Sequence, residues 1–371
     1  MNDVKRRSEP HSLGYFQCAR GLGILFIIAG HSMTPFFDKT EALESASFFS
    51  GAGSVFGGGV IAMFFMICGF GGGVRGGIGF GRYAALQAKL LLRPYGITAA
   101  SVIAVKLLLS VLRQRPFSLH GGELIPTFLF GLNAEGGGMW LGMTVDSVSV
   151  FWFLLALVGG NLLVFLLDRC KTVRLRTVLA AVCVLLGWAM SAAVRIWPYC
   201  LPLMLLAAGY LAAGRYLRRT GALTAHLPVW SLVCMAAVTL ASFAVGGVNM
   251  AAGVWCAGLL DVAATFCIGF FLLRLYAAGM ERLCVRGGRL MTALETVGLY
   301  SMPVLCLHAF EKFVFPWYRL GMLAGDGAPL TPAQVLLCSA VCFVGRLVLI
   351  FGLLWLRRYL PHRRRRAGGA A

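Results

Sequence analysis

The sequence has little charge, and acidic residues are especially scarce. Only 13% of its 371 residues are charged, and Asp and Glu together number 14 against 33 Lys and Arg. Soluble globular domains carry about 25% charged residues, whereas 59% of this chain is hydrophobic. The composition therefore excludes the water-soluble classes and is typical of a polytopic membrane protein.

The sequence also lacks the paired cysteines of disulfide frameworks and zinc sites. None of its 12 cysteines forms a CxxC pair, and most lie inside apolar runs, for example Cys68, Cys183 and Cys342. A free cysteine in such a run behaves as a small hydrophobic residue. We therefore predict packing cysteines and no metal site.

The apolar runs divide the chain into spans. A helix needs about 20 predominantly apolar residues to cross a bilayer, and ten runs approach that length, at about 18–37, 55–74, 94–112, 148–168, 175–194, 200–217, 228–247, 255–277, 296–316 and 334–357. The run 124–132 is too short to cross and is expected to be interfacial or re-entrant. The predicted fold class is all-α, a polytopic membrane helical bundle of about ten transmembrane helices.

Lys and Arg indicate the orientation of these spans. If the N-terminus is cytoplasmic, most of them fall in inside segments, as the positive-inside rule requires. We therefore predict cytoplasmic termini, with basic tails at 1–14 and 359–371 around one membrane domain at 15–358. No cleavable signal peptide is expected, because residues 1–14 are polar and the first apolar run is too long. The net charge of +19 then reflects topology in a multi-pass protein of the cell membrane, with the lipid bilayer as partner and no nucleic acid.

The first span carries two ionisable residues, Arg20 and His31. An ionisable group in hydrocarbon costs about 2.5 to 3.5 kcal/mol on insertion scales, so it is retained mainly where it faces a polar interior or performs chemistry. At about 100° and 1.5 Å per residue, the two side chains share one helix face and lie about 16 Å apart along the axis. They are the first candidates for a functional site.

Other ionisable residues are expected at the depth of His31, namely His308, Lys106 and Arg346, with Glu311 and Lys312 on the face of His308. Glu311 would either orient the His308 imidazole or pair with Lys312. Arg346 would either join this site or pair with Asp261, and Lys106 would either join it or extend to the membrane boundary.

These residue types indicate group transfer from a phosphate-bearing donor. A histidine in a membrane cavity can act as a general base on a hydroxyl. Arg20, Lys89 and Arg93, with Arg75 and Arg82, would form a basic cytoplasmic mouth suited to phosphates. An acyl-coenzyme A would match the separation between Arg20 and His31.

Glycines concentrate between Gly51 and Arg82. The pattern Gly71-x-Gly73-x-x-Gly76 matches a dinucleotide fingerprint, but no strand–helix–strand unit surrounds it, so we interpret the match as coincidence. Four-residue spacings such as Gly53/Gly57 and Gly69/Gly73 instead favour close helix packing.

Five segments, in this order, resemble the acyltransferase 3 family of integral membrane acyltransferases: RGLGILFIIAGH from Arg20, FFMICGF from Phe64, KLLLRPY from Lys89, FWFLLAL from Phe151 and LYSMPVLCLHAF from Leu299. The similarity covers about residues 12–357. It departs from the family pattern at Gln17 for the usual Asp, at Cys68 for Ser, and at Leu305 for Tyr.

The resemblance implies transfer of an acyl group, commonly acetyl from acetyl-coenzyme A, to a hydroxyl of a sugar or envelope glycan. Arg20 and His31 would be the essential pair, with Lys89 and Arg93 at the donor end and with Trp152 and His308 lining the site. We therefore predict catalytic residues His31, Arg20 and His308, donor-binding residues Arg20, Lys89 and Arg93, and site-lining residues Trp152, Glu311 and Arg346.

Two other functions fit the same ionisable residues. A transporter or flippase for an anionic or lipid-linked substrate would use the mid-membrane charges as its path, and it would move substrate without covalent change. A non-catalytic membrane assembly factor would tolerate loss of both histidines.

Overall fold

A computed structural model describes residues 16–37, 47–72, 77–114, 116, 122–194, 196–286, 288–325 and 329–367. The protein is predominantly helical, which confirms the predicted all-α polytopic class. Its helices are α1 (Gln17–Phe37), α2 (Ser47–Gly71), α3 (Phe80–Gln87), α4 (Arg93–Leu112), α5 (Leu124–Phe130), α6 (Trp152–Leu167), α7 (Val173–Ala193), α8 (Leu201–Thr220), α9 (Val229–Val245), α10 (Leu259–Arg286), α11 (Gly288–Leu299), α12 (Ser301–Val314), α13 (Arg319–Gly325) and α14 (Pro332–Ala367).

Seven helical segments in the described part of the chain are long and apolar enough to cross a membrane. Helices α11 and α12 form an eighth candidate, bent by 71°. Each of the ten predicted runs overlaps a helix or, for 296–316, this bent pair, although residues 73–74 lie outside the described part of the chain. The helices at the runs 18–37 and 228–247 are not among the seven. The number ten and the cytoplasmic position of the termini stay predictions. The tail predicted at 1–14 lies outside the described residues, and α14 continues through Ala367 into the tail predicted at 359–371.

Two small antiparallel hairpins interrupt the helical chain. Strands β1 (Asn133–Trp140) and β2 (Met143–Ser147) pair with Trp140 opposite Met143, and β3 (Val248–Asn249) pairs with β4 (Val254–Trp255). Leu141 and Gly142 connect the first pair, and both have positive φ, 48° and 77°. Two central residues with positive φ match the twist of a tight hairpin turn.

Helix α8 is the centre of the bundle and packs against α2, α6 and α7. Its contact with α2 is backbone to backbone, because a Cβ at Gly69 would overlap the Leu211 carbonyl and a Cβ at Gly214 would overlap the Met66 carbonyl. Small residues allow this approach. The prediction was wrong for Gly53 and Gly57, around which a Cβ would meet open space.

Helix α1 packs mainly against α11 and α14, which come late in the chain, and has smaller contacts with α2 and α12. Gly21 lies against the Leu294 carbonyl and Gly298 against the Gln17 carbonyl, so here too glycines bring two backbones together. This contact places α1 beside the bent α11–α12 pair.

A π-helical segment, Ala88–Leu92, joins α3 to α4. Pro94 follows in the first turn of α4. In a regular α-helix that continued through this position, the proline would have no N–H to donate to the carbonyl four residues earlier, and its ring would clash with that carbonyl. A π turn widens the backbone at such a position. The segment leaves the side chains of Lys89 and Arg93 exposed.

Candidate functional site

The cavity lies between α1, α2, the start of α6 and the α11–α12 bend. Its volume is about 240 Å³. Its walls are mostly apolar with a few polar groups, which is typical of a small-molecule site. The lining residues are Arg20, Ile24, Ile27, His31, Ile61, Phe64, Cys68, Val150, Trp152, Phe153, Leu157, Leu299, Ser301, Met302 and Leu305.

One face of α1 forms a wall of this cavity. Arg20, Ile24, Ile27 and His31 follow the three-to-four-residue spacing of a helix face, and all four line the cavity. Their spacing places the two ionisable groups about 16 Å apart along the helix axis. Arg20 also interacts with the thiol of Cys68, a residue of α2.

His31 lies beside two residues of α12. The ring centroids of His31 and His308 are 5.4 Å apart, and the planes are tilted by 39°. Lys312 Nζ lies 3.4 Å from His31 Nδ1. The 71° bend between α11 and α12 allows α11 to pack along α1 while α12 presents these side chains to His31.

Glu311 is the centre of a buried polar network beyond the two histidines. Its Oε1 lies 2.7 Å from His308 Nδ1 and 3.2 Å from Arg346 Nη1, and its Oε2 accepts a hydrogen bond from Trp317 Nε1. The Arg346 guanidinium also stands 5.6 Å from the centroid of the Trp317 ring. Glu311 is 0% exposed and Arg346 is 2% exposed, so each is shielded from solvent and from the cavity.

The predicted site residues therefore separate into three groups. Arg20, His31 and Trp152 line the cavity. His308, Glu311 and Arg346 come together beside His31, although none of the three is among the lining residues. Lys89 and Arg93 are exposed at the π turn, likewise outside the lining. Arg75 lies outside the described residues.

These contacts decide between the two predicted roles of Arg346. Arg346 pairs with Glu311, whereas the two carboxylate oxygens of Asp261 accept hydrogen bonds from Ser242 Oγ and the Ala257 N–H. The pairing of Arg346 with Asp261 is therefore wrong. Lys106 interacts electrostatically with Asp146 and Tyr318, and the two alternatives for this residue stay predictions.

Two contacts of this site, that of Trp317 with Glu311 and that of Lys312 with His31, could not be predicted from the sequence. Trp317 follows α12 in a turn, where no periodic pattern indicates the direction of its side chain. Helix spacing predicts that Lys312 shares a face with His308. Its contact with His31 depends on how α12 is rotated about its axis, which the sequence does not indicate. Within the described residues, no group of three or more His, Cys, Asp and Glu is arranged to hold a metal ion.

A family model described as an acyltransferase domain, that of the acyltransferase 3 family, matches residues 13–354. No curated protein and no solved structure matches the chain. The matched residues include α1 to α13 and most of α14, and with them the cavity and the buried network. Because the match covers nearly the whole chain, this protein belongs to the acyltransferase 3 family of membrane acyltransferases.

Proposed function

We propose that the protein is an O-acyltransferase that transfers an acyl group, acetyl first among the candidates, from acyl-coenzyme A to a hydroxyl of a carbohydrate or envelope glycan. The observation that supports this proposal best is one apolar cavity containing both Arg20 and His31. A transferase needs a donor-binding group and a proton-transfer group on one substrate path, and α1 supplies both from a single rigid face.

In this proposal His31 is the general base. It takes the proton of the acceptor hydroxyl while the hydroxyl oxygen attacks the carbonyl carbon of the thioester. A carbon–oxygen bond forms, the carbon–sulfur bond breaks, and the proton leaves with the coenzyme A thiol. The apolar residues of the cavity, such as Ile24, Ile27 and Leu157, would exclude water that competes with the acceptor.

Arg20 would bind the phosphates of the donor, since a guanidinium is always charged and forms paired hydrogen bonds to phosphate oxygens. Lys89 and Arg93, exposed at the π turn, would attract the donor before it enters the cavity. The donor would come from the cytoplasm and the protein would act in the cell membrane. Trp152 would form part of the wall that holds the substrate.

His308, Glu311 and Arg346 would act through His31. None of the three lines the cavity, and His308 Nε2 has no hydrogen-bond partner within the described residues. Glu311 fixes the orientation of the His308 ring through Nδ1, and this ring packs beside His31. The three residues are therefore proposed to position the catalytic imidazole.

The test compares wild-type protein, His31→Ala and a control, His226→Ala, in cells that otherwise lack the activity. His226 is exposed in the segment between α8 and α9 and takes no part in the site. Envelope glycans are analysed by mass spectrometry for addition of one acetyl unit. We expect the mass shift with wild type and His226→Ala and its loss with His31→Ala. Equal acylation by wild type and His31→Ala would refute the role of His31.

A further inference from the structure

The His31 imidazole has a polar contact with an amine, that of Lys312. Lys312 Nζ lies 3.4 Å from Nδ1, whereas the carboxylate of Glu311 is engaged by His308, Arg346 and Trp317. Nδ1 is thus in contact with Lys312 of α12, so in the proposed reaction Nε2 is the ring nitrogen that would accept the substrate proton. The protonation state of Lys312 therefore determines whether Nε2 has a lone pair that can accept a proton.

The contact has two possible forms, and they give His31 opposite chemistry. If Lys312 is an ammonium ion, it donates to Nδ1, the neutral ring carries its proton on Nε2, and no lone pair remains for a substrate proton. If Lys312 is a neutral amine, Nδ1–H donates to Nζ and the Nε2 lone pair is available. Only the second form allows His31 to act as a base.

We propose that Lys312 is a neutral amine in the resting protein and is the positioning residue that fixes the tautomer of His31 and takes up its Nδ1 proton during acyl transfer. This inference rests on the proposed function, in which His31 is the base. Lys312 is partly buried in this contact, and a lysine that is withdrawn from water loses its charge more readily than an arginine does.

The proton transfers balance without any further reactant. The acceptor hydroxyl gives its proton to His31 Nε2 as its oxygen bonds to the carbonyl carbon, and the Nδ1 proton moves to Lys312 Nζ. When the carbon–sulfur bond breaks, the leaving thiolate takes the proton from Nε2 and Lys312 returns its proton to Nδ1. The products are the acylated acceptor and free coenzyme A, and both side chains recover their starting states.

The test uses full-length protein in membrane vesicles, radiolabelled acetyl-CoA as donor and alkali-deacetylated envelope glycan as acceptor. The variants are Lys312→Met, Lys312→Arg and Lys312→Gln, with Lys106→Met as the matched control in another helix. We expect Lys312→Met and Lys312→Arg to lower kcat by at least about 100-fold, the lower end of the usual contribution of acid–base catalysis. Because Lys312 is not among the residues that line the cavity, the KM for acetyl-CoA should change less than about twofold.

Lys312→Gln separates positioning from mere packing. Its amide oxygen accepts the Nδ1 hydrogen bond but cannot take the proton, so its kcat should exceed that of Lys312→Met by about tenfold and stay below wild type. Wild-type kcat in Lys312→Arg would show that a permanent cation suffices and would overturn the proposal. If Lys312→Arg does not fold, equal kcat in Lys312→Gln and Lys312→Met would also overturn it. An inactive His31→Ala beside fully active Lys312 variants would refute this inference alone and leave the proposed function standing.

Discussion

The buried pair of Glu311 and Arg346 gives a quantitative prediction about stability. Removing one partner of a buried ion pair leaves an uncompensated charge and costs about 3–5 kcal/mol. Glu311 and Arg346 are 0% and 2% exposed, so water cannot replace the lost partner. We expect Glu311→Gln and Arg346→Met each to reduce the free energy of unfolding by an amount in this range.

The double variant should lose less free energy of unfolding than the sum of the losses in the two single variants. With both charges removed, no buried charge lacks a partner, and residues in one network commonly show a coupling energy of about 0.5–3 kcal/mol. Arg346 Nη1 and Glu311 Oε1 are 3.2 Å apart, so the two charges are in direct contact and we expect a coupling within this range.

The measurement is reversible unfolding in mixed detergent–lipid micelles, followed by tryptophan fluorescence for wild type, the two single variants and the double variant. Glu123→Gln is the control, because this residue is exposed next to α5, and surface changes usually stay within about 0.5 kcal/mol. Strictly additive losses, or an Arg346→Met variant as stable as wild type, would refute the view that Glu311 and Arg346 act as a buried pair.

Two further predictions concern packing and the cavity. Gly298→Val should abolish recovery of folded, monodisperse protein on size-exclusion chromatography, because its Cβ would overlap the Gln17 carbonyl. The control is Gly352→Val, which should be recovered like wild type because a Cβ at this position meets open space. Ile61→Trp should fill part of the 240 Å³ cavity and lower acyl transfer at least about tenfold with little loss of folded protein, and normal transfer by this variant would exclude the cavity as the reaction site.

Much of the fold could be predicted from the sequence because a bilayer restricts its proteins to a few structures. Backbone groups in hydrocarbon must be paired internally, so every long apolar run predicts a helix. The shared face of Arg20 and His31 followed in the same way, because it depends only on helix geometry within one element. The two hairpins were not predicted: β1 contains three consecutive glycines, a composition that is poor in strand-forming residues.

The contacts between elements could not be predicted to the same level. Whether Lys312 faces His31 depends on the bend after Leu299 and on the rotation of α12, and neither leaves a periodic signal. Trp317 lies in a turn, so its bond to Glu311 is a tertiary contact with no local cause. The spacing of Gly53 and Gly57 resembled a packing motif, yet a four-residue repeat does not specify which partner, if any, it meets.

The late partners of α1 have a consequence for how the protein is made. His31 and Lys312 are separated by 281 residues, and at about 5–20 residues per second a ribosome needs roughly 14 to 56 seconds to synthesise that stretch. During this interval α1 has its neighbour α2 but not α11, α12 or α14, so Arg20 and His31 are without their final surroundings. The contact between His31 and Lys312 can therefore form only after almost the whole chain has been synthesised.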